Sequence, residues 1–250
     1  MRRALVTGAC GVMGEDLIAF LLDQGFSVRA TDLPDADRSA LNPRAEFVES
    51  DLLRPSTLAK LFDGASRCYH LAEISDPGAT FVDHYNANVI GTRNLLRASL
   101  PFKESLESIV VRSAAGVYGT FKRGPFREDD FLDPRDDFHK TMAAREELAL
   151  DFERTAKLPV VVLRLAPVYG GARERPKGPA VHALDAARAA HFVSDRSGSV
   201  GDIFHLCDED CPGALDTAKI RALGFTLTYP HRTPPARSAA RSEAPGLGSV

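Results

Sequence analysis

At 250 residues and 44% hydrophobic content, the chain is long enough to bury a full core and to form one α/β unit with a small appendage. A net charge of −3 leaves no electrostatic footprint for nucleic acid or an anionic membrane surface, so neither partner is expected. No apolar run reaches the roughly 18 residues of a membrane span, and the N-terminus enters its first predicted strand with no room for a signal peptide, which points to a cytoplasmic protein.

In chain order, Arg3-Ala4-Leu5-Val6-Thr7 reads as a strand and runs into Gly8, Gly11 and Gly14, spaced three apart. Asp16 to Leu22 follows with the apolar recurrence of a helix. Strand, tight turn and helix in this order form a phosphate cradle. Glycine lets the backbone of Gly8, Gly11, Val12, Met13 and Gly14 approach a pyrophosphate, and the positive end of the new helix faces it. The same glycines also suit a turn that serves packing alone. Context decides for the nucleotide: Phe26 to Thr31 reads as a second strand and ends at Asp32, roughly 20 residues on. A carboxylate there accepts hydrogen bonds from both ribose hydroxyls and repels a 2'-phosphate, so the expected cofactor is NAD rather than NADP.

The form Thr7-Gly8-x-x-Gly11-x-x-Gly14 resembles the extended short-chain dehydrogenase/reductases, the NAD-dependent epimerase/dehydratase family. That resemblance implies a Rossmann-type, doubly wound α/β sheet followed by a substrate lobe. Leu33 to Arg38 reads as a loop or weak helix, and Ala45 to Ser50 as a strand delivering Asp51-Leu52. By resemblance Asp51 contacts the adenine; the alternative is a cap on the loop before Pro55. Ser66 to Ala72 is a fourth strand, and its Leu71-Ala72 end faces the groove. The family pattern His-Leu-Ala-Ala carries Glu73 in its last position here. A carboxylate beside a pyrophosphate must turn away or bond a ribose, and the sequence leaves both open.

Phe81 to Leu100 reads as one long helix. Its Asn88-Val89-Ile90-Gly91-Thr92-Arg93-Asn94-Leu95-Leu96 resembles the family closely and implies that Asn88 braces a neighbouring backbone. Glu107 to Ser113 is a fifth strand, followed by Ala114-Ala115-Gly116-Val117-Tyr118-Gly119.

The family's mechanism pairs hydride transfer with a tyrosine acid/base, tuned by a lysine four residues later, and with a serine or threonine at the end of the fifth strand. That hydroxyl position, counted back from Gly119, is Ala114. Ser113 is adjacent, but strand alternation points it to the other face. Anchored on Glu146, the tyrosine and lysine positions fall on Phe138 and Met142. Tyr118 and Lys122 repeat the spacing across a loop, without a shared helix face. His139, Lys140, Glu73 and Ser113 remain as candidate non-standard acids or bases, each with a plainer reading as a solvated or structural side chain.

Leu158 to Leu165 is a buried-type strand. Pro167 and Val168 in the following turn are implied, again by resemblance, to touch the nicotinamide end. Val181-His182-Ala183-Leu184-Asp185 arrives sooner than in the family, so the substrate lobe is expected to be truncated. Within it, Asp202 to Leu206, a helix from Pro212 to Leu223 and a last short strand over Gly224 to Tyr229 are expected. The expected domains are a dinucleotide-binding unit over 1–170, a reduced lobe over 171–229 and a disordered tail over 230–250.

Four cysteines without a framework spacing suit a reducing compartment. Cys207 and Cys211 flank Asp208-Glu209-Asp210, but no matching pair follows at zinc spacing, and no metal site is expected. Cys10 lies in the glycine loop, where a helix N-terminus lowers a thiol pKa; a small residue filling the turn is the plainer explanation.

Three functions follow. The first is an NAD-holding protein without the standard hydride-transfer groups, acting as a sensor, scaffold or enzyme subunit, with a small-molecule effector. The second is an active oxidoreductase or epimerase-like enzyme using other acid/base groups on a hydroxy, keto or sugar-type substrate. The third keeps the fold and holds no nucleotide. Resemblance also implies a homodimer built on the helices near Phe81–Leu100 and Phe138–Thr155.

Overall fold

The computed structural model describes residues 2–119, 124–171, 173–208 and 214–229. The elements in order are β1 (Arg3–Thr7), α1 (Val12–Asp23), β2 (Ser27–Asp32), β3 (Glu46–Glu49), β4 (Ala65–His70), α2 (Phe81–Tyr85), α3 (Gly91–Ser99) and β5 (Ser108–Ala114). They continue with α4 (Asp137–Ala156), β6 (Val160–Leu165), β7 (Val168–Tyr169), β8 (Val181–His182), α5 (Ala183–Ser194), β9 (Ile203–Leu206) and α6 (Ala218–Ala222). Seven strands form one parallel sheet in the order β3-β2-β1-β4-β5-β6-β9. This is the expected doubly wound α/β fold.

The apolar runs of β1, β5 and β6 follow from burial on both faces. One face packs Leu17, Ile18 and Leu21 of α1 with Ala186, Ala190 and Val193 of α5. The other packs Leu95 and Leu96 of α3 with Ala149 of α4 over Ile109, Val111 and Val162. The chain reverses direction through the sheet between β1 and β4. In such sheets the crevice beyond the C-terminal strand ends at that reversal is where ligands bind.

The long helix expected over Phe81 to Leu100 is continuous but changes pitch: Asn86–Ile90 is a π-helical segment between α2 and α3. Residues 171–229 do not stand apart from the sheet. Strand β9 is its seventh strand beside β6, α5 packs on α1, and β8 pairs with β7. The strand expected over Gly224 to Tyr229 does not form. The buried Asp185 carboxylate takes the amides of Thr228 and Tyr229 at 2.8–3.0 Å, so those donors never reach a ladder. Of the helix expected from Pro212 to Leu223 only α6 forms, with 212–213 outside the described residues, as are Cys211, Lys122 and the tail over 230–250. No described helix is long and apolar enough to cross a membrane.

Candidate functional site: a dinucleotide groove and an altered β5–α4 junction

A cavity of about 420 Å³ opens at the C-terminal ends of β1, β2, β4 and β5. It is lined by Gly8, Gly11, Val12, Met13, Gly14, Asp32, Asp51, Leu52, Leu71, Ala72, Glu73 and Val168. These are the residues singled out from the sequence for the cofactor, except Asn88 and Pro167. Thr7, Thr31, Leu33, Ser50, Leu53, Ile74, Ser75, Ala87, Arg112 and Arg173 complete the wall.

The three glycines have three separate causes. Gly8 sits at φ +68°, and a Cβ there would lie 2.6 Å from the Ala72 amide nitrogen, so β4 and the turn approach too closely for any side chain. A Cβ on Gly14 would lie 2.3 Å from the Gly8 carbonyl, which fixes α1 against the turn. Gly11 is different. A Cβ there meets only the Gly8 carbonyl at 3.4 Å, an ordinary contact. The protein's own packing therefore leaves room for a side chain at position 11, and that room opens on the cavity. Gly11 is also the N-cap of α1 and offers no side-chain cap, leaving the first-turn amides to face the cavity. The cradle thus fits a pyrophosphate.

Asp32 closes the end of β2, accepting the Cys10 amide and the Leu33 amide at 2.9 Å, one on each carboxylate oxygen. Each oxygen keeps a lone pair for a ribose hydroxyl. The same carboxylate acts on Cys10: burial, followed by the charges of Asp32 and Glu15, pushes the thiol up to about 11. This runs against a lowered, reactive thiol, because burial first and the neighbouring carboxylates second disfavour the thiolate. Asp51 holds its own loop by accepting the Leu53 amide at 2.8 Å while also lining the cavity, so the two readings of it are compatible.

A buried relay ties the groove to α3. Thr92 donates to the Asn88 carbonyl at 2.6 Å, so its oxygen accepts from His70 Nε2 at 2.8 Å. His70 Nδ1 in turn accepts from Thr7 at 2.8 Å. Burial, and then the Arg145 charge, hold His70 neutral with a pKa well below the usual histidine range. Asn88 is fully buried outside the cavity; its amide group accepts from the Ile74 amide at 2.9 Å and donates to the Ile74 carbonyl at 3.2 Å. It braces the chain leaving β4. Pro167 is exposed and outside the cavity wall, while Val168 lies in it.

The β5–α4 junction is built otherwise. Ser113 faces α4 and donates to Glu146, which also receives three hydrogen bonds from Arg164 at 2.7–3.0 Å. Both members of that ion pair are buried. Ser113 therefore serves a structural network. Ala114 packs against the core, Phe138 is partly buried against it, and Met142 is fully buried. None of the three lines the cavity. Lys140 is half exposed and pairs with Asp137 at 3.0 Å. His139 donates from Nδ1 to Asp136 at 2.7 Å. Its other side lies on Gly116, where a Cβ would come within 2.1 Å of Nε2.

The sequence did not disclose Arg112. Alternation that turns Ser113 toward α4 turns Arg112 and Ala114 the opposite way. Arg112 reaches the cavity wall and pairs with Glu73 at 2.8 Å, which offsets the charge of that carboxylate beside the groove. Arg145, fully buried, donates to the carbonyls of His70 and Ala72 at 2.9 and 3.0 Å.

Residues 4–191 match the NAD dependent epimerase/dehydratase family. The chain belongs to that family. Its relatives include an uncharacterised UDP-glucose epimerase of Bacillus subtilis, 29% identical over 70% of this chain and 58% of that protein. A UDP-glucose 4-epimerase assigned in Methanocaldococcus jannaschii is likewise 29% identical, over 70% of this chain and 59% of its own length. The chain thus spans little more than half of these family members. Among solved structures, UDP-glucuronic acid 4-epimerase from Bacillus cereus in complex with NAD aligns with a TM-score of 0.73 and 25% identity, covering 83% of this chain and 78% of that one.

Proposed function

We propose that this family member holds NAD in the groove and does not run the family's proton relay, acting as a nicotinamide-responsive sensor, scaffold or subunit. The observation that carries the reading is Gly11, a glycine the protein's own packing does not need, beside a junction where Ala114, Phe138 and Met142 occupy the positions resembling the catalytic trio. We assign the pyrophosphate to the Gly8–Gly14 turn and the adenosine ribose to Asp32. Asp51 and Leu52 take the adenine, and Leu71, Ala72, Glu73 and Val168 the nicotinamide half, while Asn88 acts by positioning Ile74. Bound NAD would supply a hydride acceptor. The chain's own residues hold and orient it, without a phenol at 138 or an ammonium at 142 to move a proton.

The test is to incubate NAD-loaded protein with panels of alcohols, ketones and nucleotide sugars while following the absorbance of the reduced nicotinamide. No turnover is expected, and turnover would overturn the non-catalytic part of this reading. A second reading has one observation in its favour. Asp136 orients His139 through Nδ1 and sets Nε2 over Gly116, two residues past Ala114. An active enzyme on a hydroxy, keto or sugar-type substrate would use Nε2 as its base, and its turnover would disappear in His139→Gln. The expected dimer draws support from Phe81, Val82 and Tyr85, which leave an apolar face of α2 exposed.

A further inference from the structure

The cluster of Glu73, Arg112 and Arg145 lies on the β4–β5 side of the cavity, across β1 from Asp32. Once the adenosine ribose is assigned to Asp32 and the pyrophosphate to the β1–α1 turn, the remaining length of a dinucleotide runs over this side. Glu73 is buried with one oxygen on Arg112, and its second oxygen and the Arg112 Nε have no hydrogen-bond partner. Arg145, bonded to the carbonyls of His70 and Ala72, lies near enough for the charges of Glu73 and Arg112 to act on it. One carboxylate therefore faces two guanidinium groups, and the cluster carries a surplus positive charge. Burial lowers Arg145 to about 10, which leaves it protonated at neutral pH. The neighbouring Arg164–Glu146 pair is internally balanced. Arg173 on the cavity wall adds to the positive side.

Oxidised and reduced nicotinamide differ by one formal positive charge on the ring. A surplus cation held in a largely buried wall beside that ring repels the oxidised form more than the reduced form. We propose that the Glu73–Arg112–Arg145 cluster makes this groove selective for redox state, holding NADH more tightly than NAD+. The inference rests on the cofactor reading above and deepens it: the signal read would be the ratio of the two forms.

The experiment is a set of calorimetric titrations with NAD+, NADH and ADP-ribose on the wild-type chain, Arg112→Met and Glu73→Gln, with thermal melts confirming that each variant is folded. The wild type is expected to favour NADH by on the order of tenfold. Arg112→Met removes positive charge and lowers that ratio, whereas Glu73→Gln removes the compensating negative charge and raises it. ADP-ribose, which lacks the nicotinamide, shifts little in either variant. Loosening of the fold would weaken all three ligands together and leave the ratio alone. Equal affinity for the two dinucleotides in the wild type, or a ratio that moves the same way in both variants, overturns the selectivity. If neither dinucleotide nor ADP-ribose binds, the cofactor reading itself fails.

Discussion

The turn between β1 and α1 and the junction of β5 with α4 flank the same strand, β4, yet they fill space in opposite ways. In the turn, backbone meets backbone: Gly8 lies against Ala72, Gly14 lies against Gly8, and the one position with room to spare, Gly11, opens on the cavity. In the junction, side chains that could do chemistry are tied to one another. Ser113 is bonded to Glu146, Glu146 to Arg164, and Arg164 to Tyr118, while Met142 is buried. On the reading proposed above, ligand binding carried by backbone shape persists where packing occupies the positions that resemble the catalytic trio.

The sharpest way to break this contrast is to cut the junction's network. Glu146→Ala leaves the Arg164 guanidinium buried without its partner and is expected to cost about 3–5 kcal/mol in urea denaturation. A loss below about 1 kcal/mol would mean that the network does not hold the junction. Within the turn, Gly14→Ala drives a methyl into two backbone carbonyls and should cost about 2 kcal/mol, with nucleotide affinity falling as α1 shifts.

Acid sensitivity separates the regions further. His70 at the groove and His205 near the junction are both held neutral, His205 at about 4, by burial first and then by the charges of Arg145 and Arg164 respectively. Their folded pKa values lie below the unfolded one, so below about pH 6.5 the unfolded chain binds more protons and stability falls with pH. Each contributes a slope of up to about 1.4 kcal/mol per pH unit, for His205 down to its folded value near 4. Urea midpoints measured between pH 7.5 and 4.5 should show this slope, and His205→Gln should flatten it by one histidine's share. An unchanged slope in that variant would contradict the neutral, buried assignment.

The turn was legible because its causes are local. The glycine spacing, the apolar run before it and Asp32 after it lie within one βαβ unit, and each fell where the pattern placed it. Ser113 was legible through alternation alone. The same alternation put Arg112 on the cavity side, but its partner Glu73 is in the loop after β4, and nothing in either segment announces that pairing. Arg145 was hidden for a similar reason, since its partners are carbonyls at the end of β4. The missing strand after Gly224 reflects a contest that propensity does not describe: Asp185 captures the amides a strand would need.

The smallest structural change is the most direct test of the central claim. Gly11→Ala adds one methyl at a position with no close protein neighbour, so unfolding stability should fall by no more than about 1 kcal/mol, the cost of alanine at the α1 N-cap. Calorimetric titration should show saturable NAD binding to the wild type and a drop of roughly tenfold or more in the variant, as the methyl occupies the space of the pyrophosphate. Absence of any saturable binding to the wild type at millimolar NAD, or equal affinity in the two proteins, would contradict the assignment of this groove.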